Sequence, residues 1–169
     1  MEPVFRFECA CCGEVHEGAP GFAYDSPFYY ASLPEDERSG LASLNSDLCT
    51  INDENFFIRT VLEIQIQGIN EPFTWGVWVS LSPGNYESYR ERFDDPVQEG
   101  EYFGWFSNVL SYYPDTLNLK TAVHLRSGDQ RPWLELEPTD HPLSVDYHNG
   151  ISWEKAIEIA QIAMHGHDA

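Results

Sequence analysis

The residues best suited to chemistry lie at the start of the chain, in Cys9-Ala10-Cys11-Cys12-Gly13. Cys9 and Cys12 have the C-x-x-C spacing that lets two thiolates reach one ion at about 2.3 Å. Gly13 follows, and glycine takes the positive φ that such a turn often needs. His16 lies four residues past Cys12, and Cys49 is the only distant thiol. Cys9, Cys12, His16 and Cys49 therefore make a complete Cys3His set for tetrahedral zinc. With all four ligands from protein the ion is structural, because a catalytic zinc keeps one position open. Cys11, between the two ligands, reads as a non-ligand, with the alternative that it replaces Cys9 or Cys12. Two other readings stand beside zinc: buried reduced thiols, and a redox site built on adjacent Cys11 and Cys12. The redox reading is weakened because the polar turn from Gly13 to Gly18 does not start a helix, whose N-terminus would depress an attacking thiol.

A second candidate is Thr139-Asp140-His141-Pro142-Leu143, where Asp140 beside His141 invites an acid–base role. The competing reading is a helix start, with Thr139 or Asp140 as N-cap and Pro142 in the first turn. The aromatic segments Trp75-Gly76-Val77-Trp78, Gly104-Trp105-Phe106 and Arg131-Pro132-Trp133 form a third. Trp75 and Trp78 fall on opposite faces of a strand, so one could line a groove while the other packs in the core. Core packing is the expectation for both. His165 and His167 have a spacing open to metal, but read as a frayed tail. No nucleophile elbow, His-Glu-x-x-His segment or phosphate-cradling glycine loop occurs.

These residues must be positioned by a fold, and 169 residues suit one domain over 1–169. An N-terminal knuckle and irregular segment over 1–50 precede a sheet and helices over 51–165. Hydrophobic residues make up 42% and aromatics 14%, enough for an aromatic-rich core. Phe5, Phe7 and Cys9 alternate with Arg6 and Glu8, predicting a strand that runs into the knuckle. Residues 17–46 read as irregular, with one helical piece at Pro34-Glu35-Asp36-Glu37. Leu62, Ile64 and Ile66, then Phe73, Trp75, Val77, Val79 and Leu81, alternate with more polar neighbours and predict a hairpin around Gly68 to Pro72. Tyr86, Tyr89, Arg90 and Phe93 predict a short helix. Leu117 to Arg126, a turn at Ser127-Gly128-Asp129 and Trp133 to Glu137 predict a second hairpin. Ser152 caps a final helix with Trp153, Ala156, Ile157, Ala160, Ala163 and Met164 on one face, ending near Gly166. The fold class is α+β: a mostly antiparallel sheet of hairpins with a C-terminal helix packed on it and an N-terminal cysteine knuckle.

Nine Lys and Arg against 28 Asp and Glu give a net charge of −19. That field repels nucleic-acid backbones and anionic membrane surfaces. Met1 to Arg6 lack a secretory start, and no run approaches the roughly 18 apolar residues of a membrane span. A reducing cytoplasm is the expected compartment, and disulfides are not expected there. The acidity serves solubility, or docks an acidic face on a basic protein partner.

Cys9-x-x-Cys12-Gly13-x-x-His16, Asp47-Leu48-Cys49, Trp75-Gly76-Val77-Trp78-Val79-Ser80, Gly104-Trp105 and Thr139-Asp140-His141-Pro142-Leu143 occur together and in one order. In this the chain resembles the bacterial domain-of-unknown-function family numbered 2199, over roughly residues 5 to 160. The resemblance implies no activity. The functional expectation is a zinc-stabilised acidic interaction module with a basic protein partner and no enzyme signature. The alternatives are a small-molecule-binding protein or enzyme using Asp140 and His141, and a thiol redox protein.

Overall fold

The computed structural model describes residues 3–128 and 130–165. The predicted turn residue Asp129, the expected helix end at Gly166 and the candidate His167 lie outside them.

The longest strand pair organises the chain. β6 (Asn55–Ile64) and β7 (Phe73–Leu81) run antiparallel, in register from Phe56↔Leu81 to Ile64↔Phe73. Alternation sends Ile58, Leu62 and Ile64 of β6, with Trp75, Val77 and Val79 of β7, into the main core. Ile66, predicted to extend the strand, instead makes an isolated parallel bridge with Ile151. β7 continues to β8 (Glu101–Phe106), β9 (Lys120–His124) and β10 (Trp133–Leu136), each antiparallel to the one before. β10 then pairs parallel with β6 through Trp133↔Val61. The five strands β6 to β10 thereby close into a barrel. This closure, and β8 itself, are additions to the expected sheet.

Three short strands extend the sheet beyond the barrel. β3 (Gly21–Ala23) lies parallel to β7, while β4 (Ala42–Leu44) and β5 (Leu48–Ile51) are added antiparallel outside β6. The segment expected to be irregular thus holds β3, β4, α1 (Phe28–Ala31) and α2 (Glu35–Leu41). Acidic residues fill the first turn of α2, as the helix dipole favours. A second, smaller core forms under these additions from Cys49, Ile51, Phe57 and Trp78. The Trp78 indole N–H donates to the Tyr24 carbonyl at 2.9 Å, so a fully buried polar atom is satisfied. Both Trp75 and Trp78 are core residues.

α3 (Pro83–Glu91) begins at Ser82, whose hydroxyl accepts from the Asn85 N–H at 3.2 Å, with Pro83 in the first turn. The chain ends in α4 (Pro142–Asn149) and α5 (Trp153–His165). Lys155 N–H donates to Ser152 Oγ at 3.1 Å, the cap that the sequence predicts. Ala156, Ile159 and Ala160 of α5 are buried in the main core. The α5 register is also held by Asp146 of α4, 7% exposed, which accepts 2.8 Å hydrogen bonds from Lys155 Nζ and the Tyr113 hydroxyl. No helix among the described residues is long and apolar enough to cross a membrane.

Gly76 shows how tightly β3 lies on the barrel. A Cβ at that position would sit 2.9 Å from Ala23 Cβ, closer than packed carbons tolerate. Gly76→Ala is expected to cost about 1–3 kcal/mol, read as a lower urea midpoint, and Ala23→Gly in the same chain should recover most of it. Undiminished stability in the single variant would contradict this close approach.

Candidate metal centre

The knuckle joins β1 (Arg6–Glu8) to β2 (Val15–Glu17), an antiparallel pair with Phe7 opposite His16. Cys9 N–H donates to the Glu14 carbonyl at 2.8 Å, and Gly13 N–H donates to the Cys9 carbonyl at 2.9 Å. Gly13 takes φ +75°, the left-handed conformation that closes the turn without a Cβ penalty. The result is a tight loop with Cys9 buried at its base and Cys12 exposed at its rim.

β1 and α5 lie side by side. Phe5 packs on Trp153 at the start of the helix, with ring centroids 5.1 Å apart. At the far end the ligand atoms of Cys9, Cys12 and His165 all lie within 4.8 Å of one another. Phe5 to Cys9 spans about 13 Å as strand and Trp153 to His165 about 18 Å as helix; the two segments touch at one end through Phe5 and Trp153 and meet again at the other through the two cysteines and His165. His165 is therefore a packed helical residue, which corrects the reading of this position as a frayed tail. Its Nε2 is buried with no hydrogen-bond partner among the described residues, a state a buried polar atom rarely occupies without a ligand or water.

Cys12 also belongs to a second group, with Glu14 and His16. Its Sγ is 3.6 Å from His16 Nε2. Sulfur and nitrogen bound tetrahedrally to one zinc ion stand about 3.6 Å apart, given bonds of about 2.3 and 2.0–2.1 Å. The cluster Cys9, Cys12 and His165 could hold a metal ion, and His16 sits beside its shared member.

The Cys9 thiol is pulled down from its ordinary value of 9.0 to about 7, chiefly by the backbone N–H of Cys12. The Cys11 N–H, the Cys12 side chain and His165 add to this, while burial opposes it. Donors aimed at a sulfur favour the thiolate, the form that binds metal.

Cys49 goes elsewhere. It lies on β5, opposite Leu44 of β4 and Phe57 of β6, and its side chain fills the second core beside Ile51, Phe57 and Trp78. The structure brings Cys9 and Cys12 together, sets His16 next to Cys12, and places His165, not Cys49, beside the two cysteines. The physical reason is register: strand pairing on both sides of β5 turns Cys49 into an apolar pocket, where burial pushes its thiol up to about 12. Local ligand spacing could not reveal His165, because its approach depends on β1 running along α5. The only hint in the sequence is a histidine one residue inside the end of a secure helix.

The Asp140-His141 segment is a helix start. His141 itself is the N-cap of α4, with Nδ1 accepting from the Leu143 N–H at 3.1 Å and Pro142 in the first turn. Nε2 contacts the Asp115 carbonyl at 2.8 Å and donates to it, so both ring nitrogens are engaged by backbone. Asp140 is exposed.

The two thiols have opposite pH signatures. Cys9 is depressed on folding, so its stabilisation is fully present above pH 9.0 and lost as pH falls through about 7. Cys49 is raised, so its thiolate costs stability as pH rises from 9.0 towards about 12. Metal-free protein should therefore gain stability between pH 7 and 9 in denaturant titrations, and Cys9→Ser should flatten that rise. An identical rise in Cys9→Ser would contradict the placement of the Cys9 thiol.

No curated protein matches the chain, and no solved structure does. The family model for DUF2199, uncharacterized proteins conserved in bacteria, matches residues 8–151, a span that takes in the knuckle, the barrel and α4. The chain belongs to that bacterial family, DUF2199.

Proposed function

We propose that the chain is a zinc-clasped acidic module that docks on a basic protein. The observation that carries the metal is the convergence of Cys9, Cys12 and His165 from opposite ends of the chain, with His16 3.6 Å from Cys12. One zinc ion takes Cys9, Cys12 and His165, and His16, moving from its place beside Cys12 towards the other two, completes a Cys2His2 set that closes the coordination sphere and makes the ion structural. Two thiolates and two imidazoles suit zinc over the hard, oxygen-seeking cations. The ion ties the knuckle to the last turn of α5, and its binding energy becomes folding energy for both.

The docking surface is the outer face of β8, β9 and β10. Phe103, Trp105 and Trp133 are 48%, 40% and 37% exposed there, and Phe103 and Trp105 meet edge to face at 4.9 Å. His124 stacks on Trp133 at 4.0 Å and lies between Glu101 and Glu135. Exposed aromatics grouped on one face mark contact surfaces. Glu101, Glu135 and Glu137, in a chain of net charge −19, outnumber Lys120 opposite Trp105 on this face, and so favour a cationic partner and oppose a second copy of the same face. Arginine side chains of the partner would stack on the aromatic rings while pairing with the carboxylates.

Metal analysis of protein expressed with zinc should give about one equivalent, and His165→Ala or Cys12→Ser should drop it below about a tenth. Cys49→Ala should keep the full equivalent. Loss of zinc in Cys49→Ala with retention in His165→Ala would overturn this ligand set. For the surface, an arginine-rich peptide should shift the tryptophan fluorescence of the intact protein, and Phe103→Ser with Trp105→Ser should weaken binding about tenfold or more. Equal affinity in that variant would show charge alone at work and would sink the proposed face.

A further inference from the structure

A cavity of about 610 Å³ opens where the barrel closes least completely. β6 and β10 are in register at Trp133↔Val61 alone, with the Val61 N–H donating to the Pro132 carbonyl at 2.9 Å. Val61 and Pro132 form the floor of the cavity, and Phe93 adds an apolar wall. Clefts of this size are ordinary places for small ligands.

The polar lining is biased towards donors. Arg126 and Arg131 both face the cavity, two of only nine cationic side chains in the protein. Each is anchored through Nε. Arg131 Nε donates to Asp47 Oδ1 at 2.8 Å, and Arg126 Nε donates to the Arg131 carbonyl at 2.8 Å. Anchoring by Nε fixes a guanidinium plane and leaves its terminal nitrogens for something else. Arg126 Nη1 comes no nearer than 4.0 Å to Glu63, beyond hydrogen-bond range. Among the described residues, the terminal nitrogens of Arg131 also lack a hydrogen-bond partner. Asp47 is engaged by Arg131, and the remaining carboxylate of the lining is Asp95.

Tyr89 provides a second and independent pointer. The residue is only 6% exposed, it lines the cavity, and its hydroxyl has no hydrogen-bond partner among the described residues. Its ring is packed while the hydroxyl oxygen stays open, so an acceptor in the cavity can reach it. Burial and the nearby Asp47 carboxylate keep it protonated, so it stands as a donor. Two held guanidinium forks and one phenol converge on a space whose floor is apolar.

We infer that this cavity binds a small organic anion, with a carboxylate or phosphate received by Arg126, Arg131 and Tyr89 and a compact apolar body against Val61, Phe93 and Pro132. Planar forks match both oxyanions in bidentate fashion. The cavity shares no lining residue with the metal cluster, and it abuts the aromatic face at Trp133, which follows Pro132 and pairs with Val61.

Amide NMR of the intact protein tests it, with benzoate, phenyl phosphate, inorganic phosphate and neutral benzyl alcohol as probes. At least one aromatic anion should cause saturable shifts centred on Tyr89 and residues 125–132, with benzyl alcohol weaker by about tenfold or more. Benzoate ahead of phenyl phosphate assigns a carboxylate ligand, and the reverse order a phosphate. Inorganic phosphate should bind more weakly than phenyl phosphate, since it leaves the apolar floor uncovered. Arg126→Gln should weaken the better anion about tenfold, and Tyr89→Phe should weaken it with the spectrum otherwise unchanged. Benzyl alcohol binding as tightly as the anions, shifts spread evenly over all arginines, no saturable shift up to the solubility of the probes, or undiminished binding in both variants would each overturn the inference.

Discussion

The ladder between β6 and β7 is the constraint on which the other elements depend. Its nine residue pairs fix which side chains face each way, and a slip of one residue would exchange the two faces. With the observed register, Ile58, Leu62 and Ile64 line the main core, while Phe57 and Trp78 build the second core with Cys49. β8, β9 and β10 close on the first face, β4 and β5 extend the ladder beside the second core, and Phe22 of β3 packs on Phe73 and Trp75 of the main core. The position of Cys49 far from the knuckle is thus a consequence of the same register that builds the barrel.

Much of this organisation is legible in the sequence where periodicity is clean. The alternation at Leu62 to Leu81, the helical stripe of α5 and the cap at Ser152 each reflect one local rule. β8 is hidden because Tyr102, Phe103, Trp105 and Phe106 put aromatics on both faces and erase the two-residue period. Gly104 in its middle reads as a break. In the structure a Cβ at Gly104 would lie 3.2 Å from the Ser80 carbonyl, Val79 and Val123, so the glycine lets strands approach. β3 and β4, at three residues each, are too short to carry a period and exist because neighbouring strands offer unpaired backbone. The parallel seam between β6 and β10 has no local signature either.

The candidate site divides along the same line. Cys9, Cys12 and His16 belong to one turn and its following strand, so spacing alone finds them. Which distant element reaches the knuckle depends on the packing of Phe5 on Trp153, which brings His165 beside Cys9 and Cys12. A clasp at the far end of that contact would stiffen the two segments least protected by the barrel. The cavity at the β6–β10 seam follows from closure as well: a short parallel contact leaves space beside it, and Arg126 and Arg131 border that space from the turn before β10. The Cys9, Cys12 and His165 cluster lies apart from the cavity lining, while the exposed aromatics and the cavity meet at Trp133 and Pro132.

The central claim is that the knuckle and the end of α5 share one zinc ion, and X-ray absorption at the zinc edge reads its ligands directly. The expected first shell has two sulfurs at about 2.3 Å and two imidazole nitrogens at about 2.0–2.1 Å, with one nitrogen lost in His165→Ala. A shell of three sulfurs and one nitrogen, or one made of light atoms only, would contradict it.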